Sequence, residues 1–396
     1  MGLIMTTYRK STLWVILASA TLTVMAGSII SPVLNPMTEG LGVDPGTARV
    51  LITTHSIFIA LFSPFYGVLI DKIGPKKPLA LGLVLYGISG GAGLLINNYW
   101  LLLVSRALLG IGTAAIFTSI TILIFDLYEQ GAKRNKIMSW RASSQSIGGI
   151  IWPLLGGFVG TFSWHFPFGV YLVGIPLSLL VLLYIPQVQR DSTIPATGKE
   201  KMVFRLLREN PTLFITYGLT FINMVLLYAL VVFLPAVLKQ LGVVSTFYVG
   251  LFISTMGFTA GITSPMYARI RANLSYKIIV AIALALWVIG FIILSKASSI
   301  WFVGLSIALF GIGQGIVMPA VQLWTGEMVP ASFRGRITSY LGTFGLVGQF
   351  LSPIILSPLE SSLGLNAVFL VAGVTCAVLL VFFLVLFRER GFHRIE

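Results

Sequence analysis

Two ionisable side chains fall deep inside long apolar stretches of this sequence, and no acid lies beside them. Arg106 sits about seven residues into the run that opens near Tyr99, roughly 10 Å along a helix rising 1.5 Å per residue. His55 sits at a similar depth in the run that opens near Thr47. Charge placed so deep is costly and is expected to face a packed interior or a wet cavity. A permanent cation near an imidazole, the side chain that titrates around neutrality, could recognise an anion or pass on a proton. Two plainer readings stay open: Arg106 reaching outward to an interface, and His55 bonded to a neighbouring carbonyl. Asp126, Glu327 and Glu360 fall at the ends of apolar runs and Asp71 in a loop. Cations without a carboxylate suit neutral or anionic amphiphiles better than lipophilic cations.

Other polar and aromatic residues inside apolar runs could line a small-molecule pocket: Phe117, Gln145, Trp152, Tyr217, Asn223, Tyr228, Gln314, Trp324 and Gln349, with Ser28, Thr118 and Gln322. Each of them could equally bind one helix to another. No GxxxxGK[ST] loop is present, so nucleotide-driven chemistry is unsupported. No Cys/His cluster has metal spacing, and Cys376 stands alone. No catalytic residue, metal or cofactor is expected, and the chain reads as a non-enzyme.

The elements that must position these residues follow from composition. Apolar residues make up 57% of the 396 and charged residues 10%, too little polar surface for a water-soluble domain. Runs of about 20 apolar residues are long enough to cross a bilayer. They fall near 12–33, 47–70, 79–97, 99–126, 139–161, 165–186, 211–237, 245–268, 277–296, 299–325, 336–359 and 364–387. The fold class is therefore all-α and membrane-embedded, with twelve transmembrane helices. The first run continues into Pro32 with no clear cleavage site and reads as a span, not a signal peptide. With the N-terminus cytoplasmic, all of the 26 Lys and Arg except Arg49, Arg106, Lys239 and Lys296 fall on the cytoplasmic side. That is the positive-inside pattern, so the net charge of +14 reports topology and not nucleic-acid binding.

The two halves repeat at an offset near 200. Ser63-Pro64-Phe65-Tyr66-Gly67 returns as Ser264-Pro265-Met266-Tyr267-Ala268, and Trp100, Ser105, Gly110 and Gly112 return as Trp301, Ser306, Gly311 and Gly313. Gly148 and Pro153 return as Gly348 and Pro353. Arg106 falls on Ile307, so the repeat does not require its charge. Residues 1–186 and 211–396 thus read as two six-helix bundles. Residues 187–210 read as a cytoplasmic linker, with a short interfacial helix near 204–207. Two parallel repeats are the architecture on which alternating access is built.

Three stretches resemble the major facilitator superfamily, and within it the twelve-span drug/proton antiporters. Gly67-Val68-Leu69-Ile70-Asp71-Lys72-Ile73-Gly74-Pro75-Lys76-Lys77 resembles the superfamily's G-x-L-a-D-r-x-G-r-k loop, with Pro75 where a basic residue is usual. Arg106-Ala107-Leu108-Leu109-Gly110-Ile111-Gly112 resembles its R-x-x-q-G-x-g segment. Gly148-Gly149-Ile150-Ile151-Trp152-Pro153-Leu154-Leu155-Gly156-Gly157 resembles the exporter segment g-x-x-x-G-P-x-x-G-G, with Trp152 in place of the Gly before Pro.

The resemblance implies two linked six-helix repeats and export of small amphiphilic molecules by proton antiport, from the inner membrane of a cell with both termini cytoplasmic. It implies a conformational latch at Gly67, Asp71, Gly74, Lys76 and Asp126, and proton coupling or anion recognition at Arg106 with His55. It implies exporter-type helix packing at Gly148, Pro153, Gly156 and Gly157. The expected partners are a small-molecule substrate, protons and membrane lipids, with no nucleic acid, and a monomer is expected. The alternatives are a substrate-specific metabolite or siderophore exporter, an inward symporter, and a membrane sensor on the same fold.

Overall fold

The computed structural model describes residues 10–128, 131–187, 208–330 and 333–386. The chain divides into two compact units, Met1–Pro195 and Ala196–Glu396. The helix expected near 204–207 lies outside the described residues.

In the first unit, α1 (Lys10–Ser28) runs through a 3-10 turn (Ser31–Val33) into α2 (Leu34–Leu41). The turn forms because Pro32 has no N–H to continue the α ladder. Helix α3 (Pro45–Ile73) starts where Asp44 accepts the Thr47 amide at 2.9 Å and Pro45 presets the first turn. Then follow α4 (Lys76–Gly91), α5 (Tyr99–Leu127, capped by Asn98), α6 (Ala132–Gly160), α7 (Phe166–Val170) and α8 (Gly174–Tyr184). The second unit holds α9 (Thr212–Gln240), α10 (Thr246–Thr263), α11 (Tyr267–Asn273), α12 (Tyr276–Ser295), α13 (Ile300–Glu327), α14 (Arg334–Leu363) and α15 (Leu365–Leu386).

The same pairings recur inside each unit. Helix α5 packs on α3 and α4, α1 on α6, and α4 on α8; in the second unit α13 packs on α10 and α12, α9 on α14, and α12 on α15. Small residues at matched positions allow it. A Cβ on Gly148 would lie 3.2 Å from the Thr21 carbonyl oxygen, and one on Gly348 would run into the Phe221 carbonyl. Among the described residues eleven helical segments are long and apolar enough to cross a membrane. The expected span at 139–161 is not among them: it falls in α6, whose first half carries Lys133, Arg134, Lys136, Arg141 and Gln145. The chain is a multi-pass membrane protein.

One expectation about the first unit changes. Asp71 stands in the last turn of α3 and not in a loop, since nothing from Gly67 to Ile73 breaks a helix. The chain reverses only at Gly74, whose φ of 76° favours glycine. At Gly67 a Cβ would meet no neighbour within 4 Å, so its smallness serves no packing inside its own unit.

Candidate functional site

Arg106 is buried in the interior of the first unit, 1% exposed, and does not reach outward to an interface. Its Nη2 donates to the Gly90 carbonyl at 3.1 Å and lies 3.3 Å from Ser105 Oγ, which itself donates to the Ser89 carbonyl. Its guanidinium carbon sits 5.0 Å from the ring centre of Phe168 and 4.9 Å from that of Tyr171. Cation–π attraction of this kind stabilises a desolvated cation by about 2 kcal/mol or more. Nε and Nη1 are buried without an acceptor. Tyr171 is fixed in turn by its hydroxyl, which donates to the Ala26 carbonyl at 2.8 Å, and by edge contact with Tyr86. Helices α1, α4, α5 and α7 thus wall in one cation.

His55, 2% exposed, lies across the α3–α5 contact and within electrostatic range of Arg106. Inside the second unit the positions corresponding to Arg106, Gly90 and Phe168 are Ile307, Phe291 and Phe369, and Phe291 stacks on Phe369. The corresponding positions in the second unit thus carry an aliphatic side chain and two stacked rings, and no charge.

On α6 the exporter-like segment packs against α1. Gly156 abuts the Ile29 carbonyl, Pro153 and Gly157 are buried, and Trp152 Nε1 donates to the Thr21 carbonyl at 3.0 Å. Gln145 Nε2 donates to Thr23 Oγ1 at 3.0 Å. The Trp that replaces a small residue therefore ties the two helices by a hydrogen bond. Phe117 is 40% exposed.

In the second unit Tyr217 donates to the Ile337 carbonyl at 3.1 Å and stacks on Phe344. Asn223 on α9 and Gln314 on α13 each keep a buried carbonyl oxygen without a donor. Tyr228 is half-buried and Gln349 buried. Trp324 lies near the end of α13 and stacks on Tyr276, away from the middle of the helix. Asp71 is exposed, while Lys76 and Asp126 are half-buried at helix ends.

Charge counting missed one residue. The positive-inside pattern counts Arg141 among the cytoplasmic charges, whereas the residue lies on α6 and is 7% exposed. The available signal was its position ahead of Gln145, Gly148 and Trp152 on one helical face. Arg49 is buried as well.

Among the described residues no group of His, Cys, Asp and Glu could hold a metal. The sequence profile of the Major Facilitator Superfamily matches residues 16–243 and 216–394. The chain is 25% identical over 376 residues to the multi-drug resistance efflux pump PmrA of Streptococcus pneumoniae serotype 4, covering 91% of this chain and 92% of that protein. It is 25% identical over 379 residues to the Bacillibactin exporter of Bacillus subtilis, covering 92% of each. A crystal structure of a D-xylose-proton symporter superposes with a TM-score of 0.79 at 16% identity, covering 94% of this chain and 96% of that one, a likeness of fold alone.

Proposed function

Because the chain belongs to the major facilitator superfamily, we propose that it is a secondary active exporter of small amphiphilic organic molecules, working by proton antiport with alternating access. The observation that carries this reading is full-length likeness to proteins named as an efflux pump and as an exporter. Likeness to the Bacillibactin exporter favours a second reading, export of one metabolite or siderophore. No enzymatic step is needed for either.

Arg106 and His55 carry the coupling in this proposal. A cation held by a fixed carbonyl and two rings is a stable electrostatic reference for a neighbouring imidazole. Asp71, with Gly67, Gly74, Lys76 and Asp126, latches one conformer, and residues 187–210 link the two six-helix halves. The basic residues at alternate loops support a cell-membrane protein with both termini cytoplasmic. The unit that works is a monomer.

The test uses proteoliposomes holding only this chain and a fluorescent amphiphile. A pH gradient should drive accumulation, and internal ATP without a gradient should not. Accumulation on ATP alone, or none with either, would refute the assignment.

A further inference from the structure

The buried Arg141 has no role in the account above. Its Nη1 donates to Thr121 Oγ1 on α5 at 2.8 Å, its guanidinium carbon lies 5.0 Å from the Phe117 ring centre, and its Nε is buried without an acceptor. A guanidinium has five N–H donors, and one neutral hydroxyl leaves most of that fork unused. No carboxylate among the described residues acts on it. Burying a cation so poorly compensated is costly. The fold does not demand it either, because the corresponding position in the second repeat is Leu341, equally buried.

Access separates it from Arg106. Phe168, Tyr171 and the Gly90 carbonyl enclose Arg106, which is 1% exposed. Arg141 keeps 7% exposure beside Phe117, which is 40% exposed. A planar cationic fork against an exposed aromatic face fits the two ends of an amphiphile. The fork can take both oxygens of a carboxylate or phosphate, and the ring can take the apolar part.

We propose that Arg141 holds the oxyanion of the exported molecule, with Thr121 orienting the guanidinium and Phe117 receiving the adjoining apolar group. The cargo is then an anionic amphiphile, a carboxylate or a phosphate ester. The proposal rests on the export reading only in taking the bound molecule to be cargo.

Equilibrium binding without any ion gradient tests it. The probes are radiolabelled 1-naphthoate and its neutral amide, with the protein in phosphatidylcholine nanodiscs. The wild-type protein should bind the carboxylate roughly tenfold or more tightly than the amide, the scale of a charge-assisted hydrogen bond. Arg141→Gln should remove the preference and leave amide binding. Should Arg141→Gln fail to assemble, two milder variants decide. Arg141→Lys should lose most of the preference with the planar fork, and Thr121→Val should weaken it, because the guanidinium loses the hydroxyl that orients it. A wild-type protein that prefers neither probe, or an Arg141→Gln or Arg141→Lys protein that keeps the full preference, overturns the proposal. Repeating the titration in phosphatidylglycerol separates cargo from lipid. A preference that survives assigns the site to cargo, and one abolished there gives it to headgroup phosphate and overturns the proposal. No gradient enters the measurement, so a failure of antiport leaves its result intact, and its failure leaves the antiport test intact.

Discussion

Gly110 lies directly against the backbone of His55: a Cβ at residue 110 would run into the His55 carbonyl oxygen and stand 3.0 Å from its Cα. The second unit repeats the relationship: a Cβ on Gly311 would lie 2.6 Å from the Met256 carbonyl oxygen. Both pairs are separated by the repeat offset, so this close approach belongs to the fold, and the imidazole is the first unit's own addition to it. Gly110→Ala should therefore destabilise the protein by about 1–3 kcal/mol, the usual cost of overpacking. Gly149→Ala, where a Cβ meets nothing within 4 Å, should be neutral or slightly stabilising, because alanine is the better helix former. Thermal unfolding in detergent checks the pair, and equal melting temperatures would contradict the packing.

Arg106→Ala should abolish transport driven by a pH gradient. Arg106→Lys should also fall well below wild type, since an ammonium cannot hold the Gly90 carbonyl and lie flat between two rings. Wild-type uptake by Arg106→Ala in vesicles would remove this residue from the mechanism. His55→Ala should change the pH dependence of transport if the imidazole takes part in coupling. An unchanged profile would leave His55 a packing role.

Asp71→Asn should insert and fold normally and yet slow transport, because a latch at a helix end sets a population and leaves the pocket intact. Single-molecule or spin-label distances should show conformer exchange altered at unchanged substrate affinity. Unchanged exchange with weakened affinity would contradict the latch.

His165 precedes α7, outside the spans, with Nε2 2.7 Å from Asn97 Oδ1, Nδ1 3.3 Å from Ser163 Oγ, and its ring stacked on Trp164. Burial holds its pKa below the ordinary 6.5. The unfolded chain then binds the proton first, so stability is full above about 6.5 and declines as pH falls through and below that value. His165→Gln should remove this part of the melting-temperature profile between about pH 7 and pH 5. A profile identical to wild type would contradict it.

Asp44 caps α3 through the Thr47 amide and hydroxyl, and these hydrogen bonds hold its carboxyl below the usual carboxylate value of 3.8. The cap stabilises the protein fully above that value and is lost as pH falls below it. Asp44→Ala should cost roughly 0.5–2 kcal/mol at neutral pH and Asp44→Ser much less. Matching melting temperatures for Asp44→Ala and wild type would argue against the cap.

The bilayer makes part of this protein readable from residues alone. Spanning hydrocarbon requires long apolar helices, so the spans, the repeat and the depth of Arg106 and His55 follow from counting along the chain. Rotation about each helix axis does not. It is set by which small residue meets which neighbour, as Gly110 meets His55 and Gly156 meets Ile29. That rotation puts Arg141 inside the unit against Thr121, although its basic neighbours made it look like a solvated charge. It also brings Phe168 and Tyr171, some sixty residues further along the chain, over the Arg106 guanidinium. A buried cation's partners are carbonyls and rings with no sequence signature, and only packing selects them.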